Sequence, residues 1–260
     1  MIKVEKDFSN IPSVLKKENR REVFNNNISL GSYSDSKNRY KVGSVQTKLN
    51  EIYNLKCAYC EQKLLDAPKH IEHYRPKNIY YWLAYSWDNL LLSCGSCNSM
   101  KSDNFEIKNQ VVVYNDESFE SIHGLSNDYD ETEIPLIINP EKDDILEFIE
   151  YRKNGEVFSK DERVAHTIEN ACKLNREELM QKRLPILSDF TNRINKHYEL
   201  FKIHRDITRF YPDVENFMQK VSKESEFYSF RYYIIHNLDV FFENENIQKL
   251  LKISLSKLKV

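Results

Sequence analysis

Four cysteines form two Cys-x-x-Cys turns, Cys57/Cys60 and Cys94/Cys97, and His70-Ile71-Glu72-His73 lies in the span between them. Each turn points two thiolates at one centre. Two turns together supply the tetrahedral sulfur cage that zinc prefers, and such a closed cage holds structure without reacting. A redox dithiol or unlinked cysteines are the alternatives for the same residues. The long span between the two turns must fold on its own account, and it carries a different kind of chemistry. Glu72 offers a carboxylate for a hard divalent cation. The neutral imidazole of His73 can take a proton from water. Neighbours on a strand point to opposite faces, but a bent strand end lets both reach one cleft. Alone, a Glu-His dipeptide serves a structural role equally well.

The run Trp87-Asp88-Asn89-Leu90-Leu91-Leu92-Ser93-Cys94, followed by Cys97-Asn98-Ser99-Met100-Lys101, changes that weighing. A Cys-x-x-Cys, an acidic-His pair before Pro76 and an Asn-Leu-x-x-x-Cys-x-x-Cys-Asn-x-x-Lys segment together resemble the HNH endonucleases of the ββα-metal fold. Asn98 follows Asn89 at the interval that family expects. A narrower resemblance runs through Lys56-Cys57-Ala58-Tyr59-Cys60-Glu61, His70-Ile71-Glu72-His73-Tyr74-Arg75-Pro76-Lys77, Asn139-Pro140, Asn154-Gly155, Thr167-Ile168 and Leu174-Asn175-Arg176-Glu177-Glu178-Leu179. These segments are similar to the HNH nuclease subunit family of Septu-type and retron-associated antiphage systems, the PtuB family.

The resemblance implies roles residue by residue. His73 is the expected general base, so activity should fall in acid. Glu72 stands where the family more often has Asp and is the expected ligand of a catalytic Mg²⁺ or Mn²⁺. Asn98 is the other expected metal ligand. Asn89 orients the loop that carries the base. Cys57, Cys60, Cys94 and Cys97 are the expected ligands of a structural Zn²⁺. The extra methylene of Glu72 leaves open a contribution from His70, two residues earlier on the same strand face. Lys101, Arg75 and Lys77 are candidate phosphate contacts, with solvated surface charge as their ordinary alternative. The implied reaction is hydrolysis of nucleic-acid phosphodiester bonds, DNA favoured, leaving a 5′-phosphate and a 3′-hydroxyl. The implied partner is an ABC- or SMC-like, PtuA-like ATPase. Two alternatives stand beside this reading: the same nuclease acting on RNA such as tRNA, and a non-catalytic zinc-stabilised adaptor.

The elements that must position these residues are legible in outline. The expected fold class is α+β, a zinc-stabilised ββα-metal core with short strands followed by a mainly helical C-terminal region. Residues 1–42 read as an extended polar leader, 43–108 as the nuclease core, 109–160 as an acidic hairpin and loop region, and 161–260 as helical. Val45, Leu49 and Ile52 predict a helix over 43–55 with Ser44 as its N-cap. Residues 110–114 and 134–138 read as short strands, with 126–133 a loop between them. Lys153-Asn154-Gly155 marks a hairpin. Helices are expected over about 161–174, in a long segment after Asn175 that contains Pro185, and two or three times between 213 and 258.

Composition bounds the rest. The 260 residues are 40% hydrophobic and 30% charged, as in globular proteins. Five glycines leave no room for a glycine-rich phosphate loop, so control by a nucleotide must come from another chain. The net charge of −2 gives no vote for nucleic-acid binding, but 16 acidic against 5 basic residues fall in 109–172. That acidic stretch, or the helices after residue 160, is the expected docking surface for a partner. No apolar run nears the roughly 20 residues needed to span a bilayer, and the first residues lack the apolar core of a signal peptide. A cytoplasmic protein is expected. Cys172, on a stripe with Val164 and Ile168, reads as a buried small apolar residue.

Overall fold

A computed structural model describes residues 1–258. The chain divides into two compact units. The first contains Met1–Phe148 and Ser159–Leu174. The second contains Ile149–Phe158 and the chain from Asn175 onward. The hairpin therefore groups with the C-terminal helices, and Ser159–Leu174 groups with the core, unlike the boundaries expected from composition.

The first unit is built around two antiparallel strands, β1 (Lys69–His73) and β2 (Leu90–Cys94), paired from Lys69↔Cys94 to His73↔Leu90. Helices α1 (Glu18–Leu30) and α2 (Gly43–Ile52) precede them, and α3 (Gly95–Lys101) follows directly. Every residue of β2 is buried, as its unbroken Leu-Leu-Leu run requires of a strand covered on both faces. The Leu92 carbonyl accepts from the Ala58 backbone N–H at 2.8 Å, which ties the first Cys-x-x-Cys turn to this strand. β1, β2 and α3 thus form the expected ββα unit, with α3 against both strands.

Around this unit the structure departs from several expectations. The leader expected over residues 1–42 is not extended throughout: α1 occupies Glu18–Leu30. Its buried positions are Arg20, Phe24 and Asn27, two of them polar, so hydrophobic periodicity could not reveal it. Hydrogen bonds replace apolar burial. Asn27 donates to the Tyr81 carbonyl at 3.1 Å and accepts from the Ser34 N–H at 2.9 Å. Ser44 does not cap α2, whose N-cap is Val42 with no side-chain bond. Residues 110–114 and 134–138 form no strands among the described residues. Only an isolated bridge joins Ile107 to Pro135, and a proline without an N–H cannot extend a ladder. The Glu133 side chain instead accepts from the Val112 N–H at 2.8 Å. The stretch 126–133 is helical rather than a loop, as α4 (Leu125–Asp128) and α5 (Asp130–Glu133). Helix α6 (Glu162–His166) begins on an Asp161 cap and continues as a π turn over Thr167–Ala171. Cys172 is fully buried, as expected.

In the second unit, β3 (Glu150–Tyr151) and β4 (Val157–Phe158) form the expected hairpin. Gly155 has φ +79, the left-handed region where glycine carries no penalty. Asn175 clamps β4, accepting from the Val157 N–H at 2.8 Å and donating to its carbonyl at 2.7 Å. Helix α7 (Glu177–His204) runs through Pro185. It packs with α8 (Tyr211–Gln219), α9 (Tyr228–His236) and α11 (Glu245–Leu258), with α10 (Leu238–Phe241) between the last two. Phe190 stacks on Phe217 with ring centres 4.2 Å apart. Among the described residues no helix is long and apolar enough to cross a membrane.

Candidate functional site

Cys57, Cys60, Cys94 and Cys97 are all buried, and their sulfurs lie within 4.8 Å of one another. A tetrahedral zinc with bonds of about 2.3 Å sets sulfurs about 3.8 Å apart. The Cys60 and Cys94 sulfurs are 3.8 Å apart, so the donor set fits zinc in chemistry and in size. Local structure explains the convergence. Cys94 ends β2 and caps α3, its sulfur accepting from the Cys97 N–H at 3.4 Å. Glu61, at φ +62, turns the chain sharply after Cys60. Among the described residues this is the one group of three or more His, Cys, Asp or Glu ligand atoms close enough to share an ion.

The end of β1 delivers Glu72 and His73 into a polar cleft of about 350 Å³. Tyr40, Lys41, Lys77 and Asn98 line the same cleft. The two sides of one strand reach it because the chain turns away at Tyr74–Pro76. His73 is 5% exposed, and its Nε2 lies 3.0 Å from the Ala84 carbonyl oxygen. A carbonyl can only accept, so Nε2 carries the proton and Nδ1 keeps its lone pair. The Tyr40 ring meets the imidazole edge-on at 4.5 Å and fixes its plane. Burial pushes the imidazole down to about 3, and Lys77, Lys101 and Lys41 add to this, while the Ala84 carbonyl opposes it. His73 is therefore neutral at physiological pH.

Glu72 is also 5% exposed. One of its oxygens accepts from Lys101 Nζ at 3.0 Å. The carboxylate also lines the cleft, where it could take a cation. Burial raises the carboxyl, and Lys101 opposes the rise. Asn98, on the first turns of α3, is half-buried and lines the same cleft. A carboxylate and an amide oxygen form a hard donor pair suited to Mg²⁺ or Mn²⁺.

Asn89 does not line the cleft. It is fully buried, accepts from the Arg75 N–H at 2.7 Å and donates to the Arg75 carbonyl at 3.0 Å. Its side chain thus pins the backbone two residues beyond His73, and its own carbonyl accepts from the Tyr74 N–H at 2.9 Å.

The candidate phosphate contacts separate. Lys77 lines the cleft, half-buried. Arg75 does not. It is fully buried, with its guanidinium 2.9 Å from Asp130 and 2.8 Å from Glu133. Lys101 is fully buried between Glu72 and the His73 carbonyl, the latter at 2.8 Å. Neither presents its charge to a phosphate in this structure, because an internal carboxylate already holds it. His70 packs over Gly95, where an added Cβ would meet its Nε2 at 3.3 Å, and it does not line the cleft. Sequence reasoning missed Tyr40, Lys41 and the Ala84 carbonyl. No motif surrounds Tyr40 or Lys41, and a backbone acceptor has no sequence signal.

Comparison with known proteins agrees with this geometry. Residues 57–104 match the HNH endonuclease family model. The chain is 34% identical over 166 residues to the Septu protein PtuB of Bacillus mycoides (strain KBAB4), covering 58% of this chain and 53% of that protein. It is 37% identical over 70 residues to the Septu protein PtuB of Bacillus thuringiensis, covering 26% of this chain and 27% of that protein. It is 27% identical over 157 residues to the Septu protein PtuA of Bacillus mycoides (strain KBAB4), covering 55% of this chain and 21% of that protein. The chain spans about half, or less, of the length of the curated relatives it matches. The two cysteine turns, Glu72, His73 and Asn89 all fall inside the matched segment, and residues 57–104 match an HNH endonuclease domain in a chain similar to Septu protein PtuB.

Proposed function

We propose that this chain is a metal-dependent HNH endonuclease that hydrolyses nucleic-acid phosphodiester bonds, with DNA the favoured substrate. We further propose that it is the effector nuclease of a Septu-type antiphage assembly containing an ATPase subunit. The observation that carries the catalytic reading is the Ala84 carbonyl 3.0 Å from His73 Nε2. It leaves a neutral imidazole with Nδ1 available as an acceptor in a polar cleft.

In this reading Nδ1 of His73 takes a proton from the attacking water. The Ala84 carbonyl, already bonded to Nε2–H, stabilises the imidazolium that results. Tyr40 keeps the ring from rotating away. Asn89 holds the Tyr74–Arg75 backbone and so fixes the strand end that carries the base. Glu72 and Asn98 would hold Mg²⁺ or Mn²⁺. When bound, that ion supplies Lewis-acid stabilisation of the charge that develops on the phosphate oxygens. Attack at phosphorus with departure of the 3′-oxygen leaves a 5′-phosphate and a 3′-hydroxyl. The four-cysteine zinc site takes no part in these steps.

Similarity to the Septu proteins PtuB and PtuA supports the defence role. The chain has no glycine-rich phosphate loop, so the ATPase would be a separate, PtuA-like subunit, and the complex would act in the cytoplasm. The test is cleavage by the chain alone and co-expressed with a neighbouring ATPase, on end-labelled DNA and RNA with Mg²⁺ or Mn²⁺. Cuts in DNA carrying 5′-phosphates are expected. Cutting of RNA alone would shift the reading to an RNA nuclease, and no cutting under any of these conditions would favour the adaptor.

A further inference from the structure

The cleft around His73 has two cations that, among the described residues, no carboxylate reaches within salt-bridge distance. Lys41 and Lys77 both line it, and among the described residues neither forms an ion pair. This differs from Lys101, whose charge is held by Glu72, and from Arg75, held by Asp130 and Glu133. The two lysines come from separate parts of the chain. Lys77 follows β1 inside the HNH segment. Lys41 lies just before α2, outside residues 57–104.

Both ammonium groups are steered by aromatic rings. Lys77 Nζ lies 4.5 Å from the centre of the Tyr33 ring. Lys41 Nζ lies 5.7 Å from the centre of the Tyr40 ring, the same ring that packs on His73. A cation over a ring face is held in place at little cost, so these stems are directed and not left to wander. Lys77 is half-buried, and burial lowers it from the ordinary lysine value. Lys41 adds to that lowering, and Asp103 and Glu72 oppose it without a direct ion pair, so an incoming anion gains more here than it would at a bare surface. Cleft anions are few. Asp103 accepts from Asn78 at 2.8 Å, and Glu72 is engaged by Lys101.

We infer that Lys41 and Lys77 form a two-point clamp for the phosphate backbone of a polynucleotide, holding phosphates next to the scissile one at His73. The clamp rests on the nuclease reading and adds to it. It makes the N-terminal segment 33–41 part of the nucleic-acid interface, and it requires a substrate with several consecutive phosphates.

The test is a binding measurement that does not depend on cutting. Full-length His73→Ala protein is titrated against fluorescein-labelled DNA and RNA oligonucleotides at several salt concentrations. Each lost phosphate contact lowers the slope of log affinity against log salt by about 0.7 to 0.9. Lys41→Gln/Lys77→Gln in that background is expected to lower the slope by about 1.4 to 1.8 and to weaken binding at low salt. Lys41→Arg/Lys77→Arg is expected to keep the slope, and Lys17→Gln, an exposed lysine that does not line the cleft, is expected to change nothing. Zinc content and circular dichroism establish that each variant is folded. An unchanged slope in the double Gln variant would overturn the clamp and leave the nuclease reading intact. Failure of the parent protein to bind any of the oligonucleotides would overturn both.

Discussion

Lys101 Nζ lies 3.0 Å from Glu72 Oε1 and 2.8 Å from the His73 carbonyl oxygen, in a position closed to solvent. One ammonium from the end of α3 thus ties together the two residues at the end of β1 on which the proposed chemistry depends. Lys101 acts here as an internal strut and not as a substrate contact.

Removing one partner of a buried ion pair leaves the other charge uncompensated and costs roughly 3–5 kcal/mol. Lys101→Met is expected to lower stability by that order. Lys101→Met combined with Glu72→Gln should cost less than the sum of the two single changes. Urea midpoints of the four proteins, compared as a double-mutant cycle, check this. Additive losses would show that the two side chains do not interact.

Arg75 provides a second separation of structure from binding. Its guanidinium joins the loop after β1 to α4 and α5 through Ser126, Asp130 and Glu133. Arg75→Leu is expected to destabilise the first unit by several kcal/mol, because it leaves the buried Glu133 carboxylate without its cation. The salt slope of nucleic-acid binding, measured at a temperature where the variant stays folded, should not change.

Zinc removal should cost structure before it costs chemistry. The four thiols join the Ala58 turn, the end of β2 and the start of α3, so their metal binding energy is folding energy. One zinc per chain is expected by elemental analysis. A thiol-specific mercurial should release it while circular dichroism and proteolysis report loss of the first unit. Cys57→Ser should act in the same direction, and Cys172→Ser should leave zinc content unchanged.

The His73 imidazole, pushed down to about 3 by burial, has a calculable effect on acid stability. Its ordinary value is about 6.5. Between pH 6.5 and 3 the unfolded chain binds a proton that the folded chain does not, so stability falls as pH falls through that window. Above pH 6.5 this term is constant. His73→Gln, which cannot titrate, should flatten the stability curve between pH 6.5 and 4 relative to the parent. The simple expectation that activity falls in acid is thereby moved. The base itself stays neutral well below pH 6, so the cleavage rate should show no histidine-like break near 6.5.

The site was legible in the sequence wherever residue type and spacing carry the chemistry. The two cysteine turns are visible as spacing, and the structure brings their sulfurs together. The Lys153-Asn154-Gly155 turn announces the hairpin that the structure shows. Legibility ended where long-range pairing decides. Lys101 and Arg75 have the residue types of phosphate contacts, but distant carboxylates capture them, and nothing local to either position shows Glu133 arriving from nearly sixty residues away. Helix α1 escaped detection because two of its three buried positions are Arg20 and Asn27. The 110–114 segment has the β-branched and aromatic residues of a strand, yet 134–138 contains Pro135, and the Glu133 side chain accepts from the Val112 N–H instead.

The cleft at His73 is the proposed place where phosphodiester bonds are cut. The most direct measurement is cleavage of labelled DNA by parent and His73→Ala proteins, each with the co-expressed ATPase, Mg²⁺ or Mn²⁺ and matched zinc content. Cutting by the parent and a loss of at least a hundredfold in His73→Ala are expected, the scale of general-base catalysis, with folding and zinc unchanged. Full cutting by a folded, zinc-loaded His73→Ala protein would contradict that proposal.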